Sequence, residues 1–168
     1  AALALDAIGE ELPAGLLAQI SAAQRSDGSW NYAGDQDPDT AGDTDTTSLA
    51  LLSLAAAGRD SGDAAVLAGL RYLAGGQQVN GAWQFFGADD PNSTAMASIA
   101  LSGLQIDVTN PGWGGPFGAS ASSTASPYTW LLSQVSNEGR VLSPNDDYGV
   151  NTLATSQTLQ ALSNQWHL

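Results

Sequence analysis

Apolar residues return along this chain with a helical period, in two recurring kinds of segment. In Asp63–Ala74 the positions Val66, Leu70 and Leu73 form one stripe on an otherwise small or polar stretch, the pattern of an amphipathic helix with an exposed face. Thr46–Ala57 instead reads Leu49-Ala-Leu-Leu-Ser-Leu-Ala-Ala-Ala, apolar nearly all round, which predicts a helix buried on most sides. Both kinds recur: Pro13–Ala23 and Pro127–Gln134 join the first, Ser93–Leu104 and Asn151–Asn164 the second. Pro13 and Pro127 suit a first helical turn, and Ser61 and Ser126 are candidate caps. The opening residues 1–9 resemble the end of a buried helix such as Leu51–Gly58. Seven helices are therefore expected in two concentric layers, amphipathic outside and buried inside, with at least one further repeat preceding this stretch.

Between the two kinds of helix stands a spaced signature. Gln24-Arg-Ser-Asp-Gly28-Ser-Trp30 and Gln77-Gln-Val-Asn-Gly81-Ala-Trp83 both read Gln-x-x-x-Gly-x-Trp, 53 positions apart, and each leads through a polar loop to a Thr (Thr47, Thr94). A degenerate third copy places Gly139 on Gly81, Val141 on Trp83, Val135 on the Gln and, by the shared spacing of 11, Thr152 on Thr94. The repeats run over about residues 10–58, 61–105 and 124–164 of a single domain, 1–168, with an irregular Gly-, Pro- and Ser-rich loop at 107–126. Gly28 and Gly81 fall where a positive φ closes a helix end. Gln24 and Gln77 can satisfy free backbone groups there, and Trp30 and Trp83 can cover the seam between repeats. The rival reading is a Trp-lined sugar or terpene site.

Composition narrows the partners. Four Arg and no Lys stand against 17 acidic residues, a formal net charge of −13; so little positive charge disfavours nucleic acid and anionic membranes. No run approaches the ~18 apolar residues of a membrane span. The absence of Cys removes disulfides, thiolate metal sites and thiol nucleophiles. A Lys-free acidic chain rich in Gly, Ser, Thr and Asn fits a secreted or cell-surface bacterial protein.

Candidate chemistry sits in the loops that lead into the buried helices. Nine of the fourteen Asp residues lie there, where helix N-termini tolerate negative charge; most read as caps. Asp35, Asp37 and Asp39 open like a calcium loop, but Thr40 and Thr46 stand where such a loop needs Gly and Glu, so calcium would require a different kind of site. Trp113 and Phe117 in the long loop, with Tyr148, are candidate ligand-binding aromatics; the first two read equally as pins that hold the loop down.

Asp43-Thr-Asp45-Thr-Thr47 makes the resemblance specific. The Gln-x-x-x-Gly-x-Trp repeats resemble the QW motifs of squalene cyclases and the wider prenyltransferase and terpenoid-cyclase superfamily, over nearly the whole chain. That resemblance implies an all-α fold, an arc of an α/α toroid with three helical hairpins and a leading helix. In class II cyclases an Asp-x-Asp-Thr-Thr variant supplies the acid that protonates an alkene or epoxide; by that likeness Asp45 would be the acid, with Asp43 beside it. The stretch Pro91-Asn-Ser-Thr-Ala-Met-Ala looks like the repeats of bacterial transcobalamin-like surface proteins, which are binding modules. Zinc prenyltransferase and thioester branches lack their Cys residues here. The expectation is a non-catalytic extracellular binding or scaffold domain for a small-molecule or protein ligand. The alternative is a fragment of a class II terpenoid cyclase. The cut ends of an arc predict self-association or pairing with the rest of the ring.

Overall fold

The computed structural model describes residues 2–119, 123–144 and 152–163. Among the described residues the chain is all-α apart from one two-stranded ribbon. Its helices are α1 (Ala2–Ala7), α2 (Ala14–Ala22), α3 (Thr44–Ala56), α4 (Ala64–Gly76), α5 (Pro91–Gly103), α6 (Pro127–Gln134) and α7 (Thr152–Ser163). Helices α1, α3, α5 and α7 touch in that order, and α2, α4 and α6 pack against this row. Burial follows the same division. Nine residues of α5 are buried, whereas α2 has none and α4 buries only one stripe, Val66, Gly69, Leu70, Leu73 and Ala74.

Helix starts are fixed by carboxylates and one hydroxyl. Asp43, Asp63 and Asp90 each accept backbone N–H groups in the first turns of α3, α4 and α5, satisfying donors that have no partner within the helix. Ser126 and Thr129 form a reciprocal cap on α6. Ser61, the sequence candidate for α4, is displaced in this role by Asp63, whose Oδ1 accepts from Ala65 and Val66 at 2.9 and 3.4 Å. Pro13 stands at the α2 N-cap with no side-chain bond, one place earlier than a first-turn proline.

The ribbon was not foreseen. β1 (Gln84–Phe85) and β2 (Ala88–Asp89) pair antiparallel, Gln84 opposite Asp89 and Phe85 opposite Ala88. The turn between them is Phe86-Gly87, both at positive φ, +49° and +81°. Two-residue strands carry too little alternation to register as a pattern. The loop after α5 is pinned by Val108 and Trp113, both buried, and holds a short 3-10 turn at Gly115–Phe117.

Candidate functional site

The repeat is written in hydrogen bonds. In the first copy the Trp30 N–H donates to Thr47 Oγ1 at 3.0 Å, and the Asp43 N–H donates to the Trp30 carbonyl at 3.0 Å. In the second, Trp83 N–H donates to Thr94 Oγ1 at 2.9 Å and Asp90 N–H to the Trp83 carbonyl at 2.9 Å. Each indole is buried and donates its Nε1–H back to the preceding helix, Trp30 to Ile20 at 2.6 Å and Trp83 to Leu73 at 2.9 Å. Gln24 and Gln77 close their turns by donating to the Gly28 and Gly81 carbonyls, and Gln24 reaches on to the Ala65 carbonyl of α4. A Cβ on Gly28 would lie 2.3 Å from the Ala68 carbonyl oxygen, and one on Gly81 2.7 Å from those of Ala125 and Ser126. The glycines therefore serve both the positive φ and the close approach of the next repeat. Trp30 and Trp83 are interior side chains, closed to a stacking sugar.

The third copy keeps the turn but shifts the pin. Gly139 has φ +75° and Ser136 N–H donates to the Arg140 carbonyl, as Arg25 and Gln78 do to Ser29 and Ala82 in the earlier copies. The Val141 N–H, however, donates to Thr155 Oγ1 at 2.9 Å, a separation of 14 where the earlier copies have 17 and 11. The spacing rule that selected Thr152 is corrected here: Thr152 is the exposed first residue of α7, one turn too early to reach Val141. Asn151, four residues before Thr155, takes the place of Asp43 and Asp90 in sequence and lies outside the described residues.

At the N-terminal end of α3, beside Tyr72 of α4 and the ribbon, a cavity of about 610 Å³ opens. Asp43, Asp45 and Thr46 line it together with Tyr32, Tyr72, Phe85 and Phe86. Tyr72 donates its hydroxyl to the Gly42 carbonyl at 3.0 Å, which ties α4 to the rim. The two aspartates of the Asp-x-Asp-Thr-Thr stretch divide their roles. Asp43 is the helix cap: Oδ1 accepts from Thr46 N–H at 2.7 Å and Oδ2 from the Thr46 hydroxyl at 2.8 Å. Asp45 caps nothing. Its Oδ1 and the Ser93 hydroxyl on α5 are both buried, and that hydroxyl is the hydrogen-bonding neighbour of the Asp45 carboxyl. Burial raises the Asp45 carboxyl above its ordinary pKa; the nearby Ser93 hydroxyl lowers it, and repulsion from Asp43 and Asp90 raises it further.

No family model, curated protein or solved structure matches this chain. Its functional reading rests on the residues themselves.

The remaining sequence candidates are placed as follows. Trp113 is 3% exposed and donates its indole N–H to Gln77 Oε1 at 3.0 Å, with Trp83 and Phe117 ring centroids at 5.9 and 6.1 Å. It is part of the core, where burial between Trp83 and Phe117 closes it to a ligand. Phe117 is half-buried against the same cluster. Tyr148 lies outside the described residues.

Asp35, Asp37 and Asp39 are exposed, and their loop is braced by its own backbone. Asp35 Oδ1 accepts from Asn31 Nδ2 and Asp37 N–H, and Asp37 Oδ1 from Asp39 N–H. Hydrogen bonds from the Asn31 amide and the Asp37 N–H hold the Asp35 carboxyl below its ordinary value. Arg25 and Gln36 stitch the loop to neighbouring carbonyls. Among the described residues no three acidic or imidazole groups are grouped to hold a metal ion, and no helix is long and apolar enough to cross a membrane.

Sequence reasoning missed Asp90, Tyr72, Tyr32, Phe85 and Phe86 as neighbours of Asp45. Asp90 had a signal: it stands four residues before Thr94 as Asp43 does before Thr47. It is 2% exposed, caps α5, and accepts from the Ser143 hydroxyl at 2.5 Å. The aromatic residues had none, because the loop, the ribbon and α4, which carry them, converge only in the fold.

Proposed function

We propose that this chain is a non-catalytic binding domain of a secreted or surface protein, an arc of an α/α toroid whose ligand enters the cavity above Asp45. One observation carries the reading: the acidic stretch Asp43–Thr46 lines a cavity that also bears two aromatic rings left in solvent, Tyr32 at 85% and Phe86 at 89% exposure. Concave sites with aromatic walls and a few converging polar groups are where small molecules bind. The toroid is supported by the ordered row of buried helices and by the Gln-x-x-x-Gly-x-Trp turns seated on each following repeat. The test is a fragment screen read by amide chemical shifts. Perturbations should centre on Tyr32, Asp43–Thr46 and Phe85–Phe86, and hits centred anywhere else refute the assignment.

A second reading is favoured by the Asp45 carboxyl itself. A buried acid with a raised pKa in an Asp-x-Asp-Thr-Thr stretch is what alkene or epoxide protonation in a class II terpenoid cyclase demands. Against it stand the open rings, since a carbocation needs a dry, enclosed aromatic wall. Turnover of C15, C20 and C30 isoprenoids by the wild type and by Asp45→Asn separates the two. The binding reading expects no product from either protein, and Asp45-dependent cyclisation would overturn it.

A further inference from the structure

Phe86 is an outlier without a structural reward. It occupies the first position of a two-residue hairpin turn at φ +49°, followed by Gly87 at +81°. Such turns take Asn, Asp or Gly at that place, because a bulky side chain at positive φ is strained. A core contact could offset the strain, but the ring is 89% exposed and leans only edgewise on Phe85, centroids 4.3 Å apart and planes at 54°. Strain held at a site with no packing return points to use by a ligand. The ring stands over the same cavity as Tyr32, Tyr72 and the carboxyls of Asp43 and Asp45.

The charge of that cavity is one-sided. None of its lining residues is basic, and the chain as a whole carries −13. We infer that the cavity binds an organic ammonium ion, a primary or secondary amine on an apolar body, with its N–H groups on Asp45 and its cation and body against Phe86 and Tyr32. This rests on the binding reading above and names the ligand class for that site. An ammonium supplies what the cavity lacks, a positive charge beside the carboxylates of Asp43 and Asp45. Rotation about the broad, two-fold χ2 of an aspartate can bring either oxygen to the cavity. Aromatic faces attract cations through their quadrupole. A metal ion would leave the rings unused, and a neutral sugar would leave the charge uncompensated.

The test is calorimetric titration of the whole chain with phenethylammonium, its neutral isostere 2-phenylethanol, and cellobiose. Phenethylammonium should bind at least about tenfold tighter than the alcohol, and Asp45→Asn should erase that preference. Phe86→Gly should weaken phenethylammonium by about threefold or more while leaving the melting temperature unchanged or higher, since glycine relieves the turn. A purely structural Phe86 would instead lose stability and leave binding alone. Equal affinity for amine and alcohol, or a preference that survives Asp45→Asn, overturns the ammonium assignment. Tight cellobiose binding in its place overturns it too, yet leaves the binding reading standing. No heat from any of the three sinks the ammonium proposal, and the shift-mapping screen then decides the binding reading by itself.

Discussion

The hydroxyl that pins each Trp or Val turn to its inner helix can be removed with almost no change in shape. Thr94 is fully buried; its Oγ1 accepts from the Trp83 N–H at 2.9 Å and donates to the Asp90 carbonyl at 2.8 Å. Thr94→Val keeps the volume and much the same helix propensity but leaves the Trp83 N–H buried and unbonded. Leaving such a donor unsatisfied costs about 1–3 kcal/mol. In a domain of this size about 1 kcal/mol moves the melting temperature by about 2–4 °C, so Thr94→Val should melt about 2–12 °C lower. Thr47→Val should fall in the same range, because Thr47 is also fully buried and accepts from Trp30 N–H at 3.0 Å. Thr155→Val should sit at the lower end, since the bond from Val141 is only part-buried. Thr152→Val, at an exposed position, should stay within about 0.5 kcal/mol of wild type. Thermal and urea unfolding of the four variants give the comparison. A Thr152→Val loss larger than that of Thr155→Val would refute the register described for the third repeat, and a neutral Thr94→Val would refute the pin itself.

Other expectations follow from the same contacts. Trp83→Ala removes a fully buried indole and its bond to Leu73; it should cost about 3–5 kcal/mol, and a loss below about 1 kcal/mol in urea unfolding contradicts the staple role. Asp45 titrates above its ordinary 3.8 in the fold, from burial with Asp43 and Asp90 adding to it, so the folded chain holds that proton more tightly than the unfolded one. Stability then falls as pH rises from about 3.8 through the folded pKa, and is level above it. Asp45→Asn should accordingly melt above wild type at neutral pH, with the gap closing toward about pH 4; a gap independent of pH refutes this. Asp35, Asp37 and Asp39 are engaged with their own loop, so the melting temperature should not differ between millimolar calcium and chelator, whereas a calcium-dependent rise would re-establish an ion site. Leu153 and Leu159 on α7 are more than half exposed, and apolar patches of this kind seek partners; light scattering should show self-association, and a monomer at high concentration counts against it.

Helices were legible because their apolar periodicity runs over a dozen residues, long enough for the stripe of Val66, Leu70 and Leu73 to stand apart from the all-round burial of α5. Gly28 and Gly81 were legible because one residue type meets a steric demand that no other meets. What failed was local choice among equivalents. Thr152 and Thr155 are three residues apart, just under one helical turn, and spacing from a single other copy cannot choose between them when the loops already differ in length. Asp43 and Asp45 are chemically alike, so which one caps α3 depends on where the extended backbone ends, at φ −135° on Asp43. The aromatic rim around Asp45 was invisible because Tyr32, Tyr72 and Phe86 come from three separate segments. Phe86 is also the residue a turn rule would have argued against.

The pin between turn and helix has a consequence for how such a chain changes over generations. The same bond from a turn N–H to a threonine hydroxyl spans separations of 17, 11 and 14 residues, so the intervening segment can lengthen or shorten without disturbing the helices on either side. Each of these segments behaves as a cassette held at both ends, free to gain a charged bulge in one copy and a two-stranded ribbon in the next. Apart from Tyr72 of α4, the residues that line the cavity come from such cassettes. New ligand specificity is therefore reachable here by insertion and deletion, the class of genetic change that most folds tolerate least.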